Sequence, residues 1–514
     1  MSGGLARAGL IVIGAFFASR VLGWVRVVVL ANLFGASAEL DAYYAAFRIP
    51  DLVFQLVAAG AIASSLVPVL AGLVATGERQ RAWRVASTVL NLMLGALIVV
   101  AILLWLFAPE IVPLLVPGFD AATTEMTVQL TRLMLISPVF LAAGAIASAV
   151  LNTEDRFGAA ALAPVAYNVC IIVGALLLAP WIGVYGAAIG VVVGSVAHLL
   201  VQLPPLRSFF RYSARTDTSD SAARQSFGLM LPRAIGLGAN QITFLVNTAL
   251  ASTLAVGAVV SYNVAFNVLQ IPLGVIGLPL GIVLLPTMSR ALASGQEEEF
   301  GRTVVSTLRL LLWATLLVAT VGIVARDQVV ELLFGWGFDA SALAATATAL
   351  GVFLLGLPAH ALNVILARAF YSGKDTLTPV SVAIASVAIN VVVSLLTVER
   401  LGLAGLALGI VIGAWFEATT LTLLLARRHR SVSVAPVVRG GLVSLVGAIA
   451  AALVAAVVLS VTPTLDGAVF IGLALALTVA SAAALLVYLA YSRVVRLPEL
   501  PRTVGLLRSA LRPG

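Results

Sequence analysis

Long apolar runs separated by short polar connections fill the chain from end to end. A helix needs about 20 such residues to cross a hydrocarbon core. Windows of that kind fall near residues 8–31, 41–73, 86–107, 128–151, 160–179, 184–205, 228–252, 260–289, 305–325, 343–372, 378–397, 403–426, 438–460 and 467–491. The pattern predicts an all-α polytopic membrane protein of about fourteen transmembrane helices.

The connections sort by charge. Arg79, Arg81 and Arg84 follow the second span, Arg156 the fourth, Arg207, Arg211, Arg215 and Arg224 the sixth, and Arg290 and Arg302 the eighth. Arg368 and Lys374 flank the end of the tenth, Arg427, Arg428 and Arg430 follow the twelfth, and the tail carries Arg493, Arg496, Arg502, Arg508 and Arg512. The alternate loops hold mainly acids, among them Glu39, Glu110, Asp120, Glu125, Asp327, Glu331, Asp339, Glu399 and Asp466. Basic residues stay on the cytoplasmic side, so both termini are expected in the cytoplasm, which an even number of spans allows.

One internal stretch is hydrophilic, from Arg207 to Arg224, and reads as a linker. The spacing GxxGxxxGxxxG occurs at Gly183-Gly186-Gly190-Gly194 and again at Gly402-Gly405-Gly409-Gly413. Such glycines mark close helix packing. The offset of about 219 residues recurs for Val67-Pro68 against Leu285-Pro286 and for Ser137-Pro138 against Leu357-Pro358. A duplicated six-helix unit follows, the two copies related by a pseudo-two-fold axis along the membrane normal. The expected organisation is a six-helix bundle over 1–206, a linker over 207–227, a second bundle over 228–430, and two added helices with a basic tail over 431–514. Two such bundles facing a central cavity are a transporter architecture.

Composition agrees and excludes much else. Of 514 residues 61% are hydrophobic and 10% charged, with mean hydropathy +1.11, against about 25% charged in soluble domains. The net charge of +8 is dispersed as single arginines between apolar runs and not gathered for nucleic acid. Arg20 interrupts the first apolar run, which reads as a retained span and not a cleaved signal. The lone Cys170 and the scattered His198, His360 and His429 build no disulfide, metal or catalytic set, so no cofactor and no covalent chemistry are expected.

Charge inside the spans carries the candidate chemistry. Arg20 and Arg26 in the first span, and Asp41, Arg48 and Asp51 in the second, stand in lipid-compatible sequence, where a central charge costs at least ~2.5 kcal/mol. With the first helix starting near Gly9, Arg20 lies roughly 17 Å and Arg26 roughly 26 Å along it, and Arg48 roughly 10 Å in from the opposite face. That puts Arg20 and Arg48 at similar depth. Guanidinium groups grip phosphate with paired hydrogen bonds, so the cluster suits an anionic, phosphorylated headgroup; ion pairing that merely joins the two helices is the competing reading. In the second half Asn240, Asn247, Asn263 and Asn267 either hydrogen-bond a sugar or peptide or glue helices together, and Glu417 is either a proton or cation site or an internal pair.

Ser19-Arg20-Val21-Leu22-Gly23-Trp24-Val25-Arg26, Phe34-Gly35 with Asp41-Ala42, Ala46-Phe47-Arg48-Ile49-Pro50, Val67-Pro68, Pro117-Gly118-Phe119 and Leu151-Asn152 with Arg156-Phe157 together resemble the MurJ (MviN) lipid II flippases of the MOP exporter superfamily. The resemblance covers the first twelve helices, and fourteen helices with both ends inside is the family's topology. It implies export of the undecaprenyl-pyrophosphate-linked disaccharide-pentapeptide precursor of peptidoglycan across the bacterial cytoplasmic membrane. Membrane lipids and enzymes of cell-wall synthesis would be its partners, and the last two helices would form a groove for the lipid tail. By position Arg20, Arg26, Asp41 and Arg48 match functional or conserved family sites. Departures are Val27 for an aspartate, Phe54 for a basic residue, Ala59 for a glutamate-type residue, Asn267 for an arginine, and an eleventh helix without the acid of a sodium site. Substrate contacts are therefore expected at Arg20, Arg26, Asp41, Arg48, Asn240 and Asn267, and ion coupling at Glu417. The alternatives are a flippase for another polyprenyl-linked glycan, a cation-coupled multidrug exporter of the MATE type, and a membrane scaffold.

Overall fold

The computed structural model describes residues 3–56, 61–461 and 469–511; the side chains of 3–13, 61–65, 231–240 and 506–511, with a few single positions, fall outside that description. The described chain is helical throughout, without a strand, and divides into two compact units, residues 1–260 and 261–514.

In the first unit the elements are α1 (Gly3–Phe34), α2 (Ala38–Phe54), α3 (Ala61–Ala75), α4 (Arg79–Leu106), α5 (Ala108–Leu115), α6 (Ala121–Met134), α7 (Ser137–Thr153), α8 (Phe157–Ile182), α9 (Tyr185–Leu200), α10 (Leu203–Arg207) and α11 (Ser221–Ser252). The next helix, α12 (Ala258–Ala293), begins here and runs into the second unit. There follow α13 (Glu297–Val324), α14 (Arg326–Phe334), α15 (Ala340–Ser372), α16 (Leu377–Leu401), α17 (Leu403–Arg428), α18 (Val434–Val461), α19 (Val469–Val494) and α20 (Glu499–Leu511).

Among the described residues twelve helical segments are long and apolar enough to cross a membrane. Two of the fourteen expected spans stand outside that number. The window 41–73 is split between α2 and α3, and 228–252 lies in α11, part of whose side chains are outside the description. The protein is a multi-pass membrane protein.

Within the first unit α1 packs on α8, α8 on α9, α9 on α7, and α2 on α6. The α8–α9 seam shows what the glycine spacing is for. A Cβ on Gly190 would lie 2.8 Å from the backbone of Ile171, and one on Gly186 would lie 2.8 Å from the Leu178 side chain. In the second unit the repeat performs the same task, where a Cβ on Gly405 would meet the Thr397 backbone at 2.8 Å.

The 219-residue offset also appears in the backbone. Gly183 and Gly402 end α8 and α16 with φ of +57° and +54°. Asp155 and Lys374, the same distance apart, both take the left-handed conformation, φ 56° and 62°. Asp120 and Asp339, again 219 apart, cap α6 and α15 by accepting from the amides of Thr123 and Ala342, each at 2.7 Å.

The polar stretch after α10 is pinned to α4. Asn91 donates to the carbonyl of Ser213 at 3.0 Å, Tyr212 donates to Asn91 at 2.8 Å, and the amides of Ser213 and Asp217 reach Ser87 and Thr88, both at 3.1 Å. Asp220 then caps α11 through the amide of Ala222 and is gripped by Arg81 at 2.9 Å. Helix therefore resumes at residue 221, seven residues before the apolar window opens.

In the second unit α18 and α19 pack against α13 through alanines, including Ala448, Ala451, Ala480 and Ala484, with Tyr488 donating to the Trp313 carbonyl at 2.8 Å. The basic tail forms the helix α20, which is tied to α13 by Arg309 and the buried Glu499 at 2.7 Å.

Candidate substrate site

The start of α2 is locked before any of its arginine chemistry is reached. Ser37 caps the helix by accepting from the amide of Leu40 at 3.3 Å. Asp41, 2% exposed, accepts from the amides of Gly257 at 2.6 Å and Val260 at 2.7 Å, so both carboxylate oxygens serve the N-terminus of α12. Unpaired N–H groups and the helix dipole make that end a natural seat for an anion. The turn is tight. Gly257 has φ +84°, and a Cβ there would lie 2.4 Å from the Ala36 carbonyl oxygen. Asp41 therefore holds two turns of the chain together, with both oxygens already committed to backbone donors.

Seven residues on, Arg48 is half-buried. Its Nε donates to Thr248 Oγ1 of α11 at 3.0 Å, and its guanidinium lies over the Phe244 ring, 5.1 Å from the centroid. One turn further, Asp51 accepts from Gln241 of α11 at 3.4 Å, and the charges of Arg48 and Arg26 act on it. Arg26 of α1 is half-buried and also within electrostatic reach of Tyr43, Tyr44 and Tyr167. The Tyr44 hydroxyl, near both arginines, is buried and makes no hydrogen bond among the described residues. The first unit thus gathers Arg26, Arg48, Asp51 and three tyrosines from α1, α2 and α8, with α11 closing one side.

The depth pairing differs from the sequence estimate. Because α1 extends to Phe34 and α2 begins at Ala38, Arg26 stands about 12 Å and Arg48 about 15 Å from that shared end. Arg20 is about 21 Å from it by the same rise. By this rise Arg26 is nearer than Arg20 to the level of Arg48. Arg20 is exposed on α1.

A protein-family model described as "Lipid II flippase MurJ" matches residues 30–477. The chain belongs to the MurJ family. The chain is 32% identical over 446 residues to a lipid II flippase MurJ of Burkholderia cenocepacia, covering 82% of this chain and 84% of that one. It is 30% identical over 426 residues to a probable lipid II flippase MurJ of Rhizobium tropici, covering 81% and 80%. Among solved structures it is similar in fold to a lipid II flippase MurJ in an inward closed conformation, with TM-score 0.79 and 22% identity over 95% of this chain and 98% of that one. An inward-facing MATE multidrug transporter of the MOP superfamily shares the fold at TM-score 0.69 and 16% identity, over 82% and 98%.

Of the other expected residues in this MurJ chain, Asn267 and Glu417 belong to the second unit and the Asn240 side chain is outside the description. Asn240 is on α11, but its side chain is outside the described residues. Asn267, half-buried in α12 of the second unit, donates to the Asn263 carbonyl one turn back at 2.8 Å. Glu417, half-buried in α17, is within electrostatic reach of Tyr371, which also feels Arg368. Two of the positions at which the resemblance implied a charged residue are packing positions here. Val27 is 4% exposed, and Phe54 packs against the apolar cluster around Val53, Leu66 and Leu70. Among the described residues no group of three or more His, Cys, Asp or Glu is arranged to hold a metal.

Sequence reasoning assigned no role to Phe244, Thr248, Tyr44 or Tyr167. Phe and Thr in an apolar helix carry no signal of their own. Their role arises only from the packing of α11 on α2.

Proposed function

We propose that the chain is a flippase for lipid II in the bacterial cytoplasmic membrane, carrying it from the inner to the outer leaflet by alternating exposure of the arginine site, with both termini in the cytoplasm. Family membership supports the substrate, and the basic loops support the orientation. The observation that carries the reading is Arg48, its Nε bonded to Thr248 and its plane over Phe244, with Arg26 acting on the same Asp51 and Tyr44. A guanidinium whose geometry is set in advance loses little freedom on meeting a pyrophosphate. Among the described residues the cluster sets two arginines against one carboxylate, Asp51, which favours an anionic headgroup over the cations of a multidrug exporter.

In this reading Arg26 and Arg48 hold the pyrophosphate, the unengaged Tyr44 hydroxyl donates to one of its oxygens, and Arg20 meets the headgroup further along α1. Asp41 holds the α2 and α12 turns in register. Asn240 and Asn267 contact the sugar or peptide, and Glu417 binds the coupling cation. No bond is made or broken, so the protein is a transporter and not an enzyme. Enzymes that make or polymerise the precursor would be its partners.

The test is complementation of a flippase-depleted strain. With protein levels equal to wild type, Arg26→Ala and Arg48→Ala are each expected to abolish growth. Normal growth of both would overturn the assignment.

A further inference from the structure

The two helices that carry the polar groups also carry an apolar face one step round. Successive residues on a helix turn by about 100°. On α2, Arg48 and Asp51 are followed by Ile49 and Leu52, with Val53 beyond. On α11, Gln241, Phe244 and Thr248 address Arg48 and Asp51, and the neighbouring stripe carries Leu245 and Ala249. These apolar stripes, with α4 and α5, line a cleft of about 340 Å³ in the first unit. Leu114 of α5 belongs to its lining and is 80% exposed.

We propose that this cleft receives the head-proximal part of the substrate's own polyprenyl chain while the pyrophosphate is on Arg26 and Arg48. The proposal rests on the reading of the arginine cluster as the headgroup site. An amphiphile seated there requires an apolar path beginning within one helical stripe of its phosphates, and the Ile49–Leu52 face begins one residue from Arg48. The volume lies in the range of ligand clefts, near its lower end, so it takes only the first isoprene units. Bilayer tails are as apolar as these side chains, so the cleft adds little affinity. Its effect is directional. The cleft lies where α4 ends and α5 begins, which on the proposed orientation is the outer-leaflet side, and it steers the chain out there.

The test uses the full chain in phosphatidylglycerol vesicles and undecaprenyl pyrophosphate bearing a diazirine on a head-proximal isoprene, with labelled peptides mapped by mass spectrometry. Saturable labelling of α5 and of α11 around Leu245 is expected. Unlabelled undecaprenyl pyrophosphate should compete it away while added phosphatidylglycerol does not, and it should be lost in Ala249→Trp, which fills the cleft. Leu114→Trp, an exposed change that leaves packing alone, should reduce labelling if Ala249→Trp fails to fold. Labelling competed equally by phosphatidylglycerol would make the cleft a crevice for bulk lipid and overturn the proposal. Saturable labelling confined to other helices would overturn it while leaving the headgroup site standing. No saturable labelling anywhere would overturn both.

Discussion

Asp41 and Arg48 lie two turns apart on one helix yet have different tasks. Asp41 is a buried carboxylate with both oxygens on backbone amides of the α12 turn. Leaving those donors unpaired costs about 1–3 kcal/mol. Asp41→Ala is therefore expected to lower the unfolding temperature in detergent, and the proposal further expects it to leave headgroup affinity measured on the folded fraction near wild type. Arg48 is expected to behave in the opposite way. Arg48→Lys keeps the charge but loses the planar fork and the Thr248 bond, so pyrophosphate binding should weaken about ten- to hundredfold with little change in thermal stability. The sequence made both residues conspicuous as charge in apolar surroundings. It did not separate their roles, because the partners of Asp41 are backbone amides more than 200 positions away, and an amide leaves no mark in a sequence.

At the scale of elements, glycine spacing was the most readable feature. Gly190 sits where a Cβ would press on Ile171 at 2.8 Å, so Gly190→Ala forces α8 from α9 at about 1–3 kcal/mol; a thermal melt unchanged from wild type would contradict that. Gly118 is similar. It stands out in sequence only as part of Pro117-Gly118-Phe119, and its reason is the α11 terminus, whose Ser252 carbonyl oxygen lies 2.2 Å from where a Cβ would be. The segment after α10 was legible as polar but not as anchored. Its bonds to Ser87, Thr88 and Asn91 join polar residues that alone look like solvated surface. Arg81 beside Asp220, with the amide of Ala222, holds that carboxyl below the ordinary carboxylate range. A lowered folded value means the contribution is complete above the unfolded value of about 3.9 and is lost as pH falls through the folded one. Thermal stability should therefore fall more steeply with acidification in wild type than in Asp220→Asn, and equal slopes would contradict the pairing.

For the whole molecule, helical class and membrane character follow from apolar windows alone, since a bilayer core leaves a backbone few ways to satisfy itself. The duplication was legible through the 219-residue offset, and the left-handed pairs Asp155 with Lys374 and Gly183 with Gly402 carry that offset in the backbone. The count of spans was less legible. Where α2 and α3 share one apolar window and α11 mixes polar with apolar residues, composition does not mark the helix that packing makes. The candidate site showed in the sequence as three arginines, but helix lengths bring Arg26 nearer than Arg20 to the level of Arg48, and rise per residue could not give that until the ends of α1 and α2 were known. On the proposed function this arginine pair holds the pyrophosphate of a lipid-linked substrate during its passage. The most direct measurement is translocation of lipid II across proteoliposomes, comparing wild type with Arg26→Gln and Arg48→Gln at matched insertion and thermal stability. Wild type is expected to transport lipid II and both variants to lose transport; transport by both variants at the wild-type rate would rule out that role for the arginines.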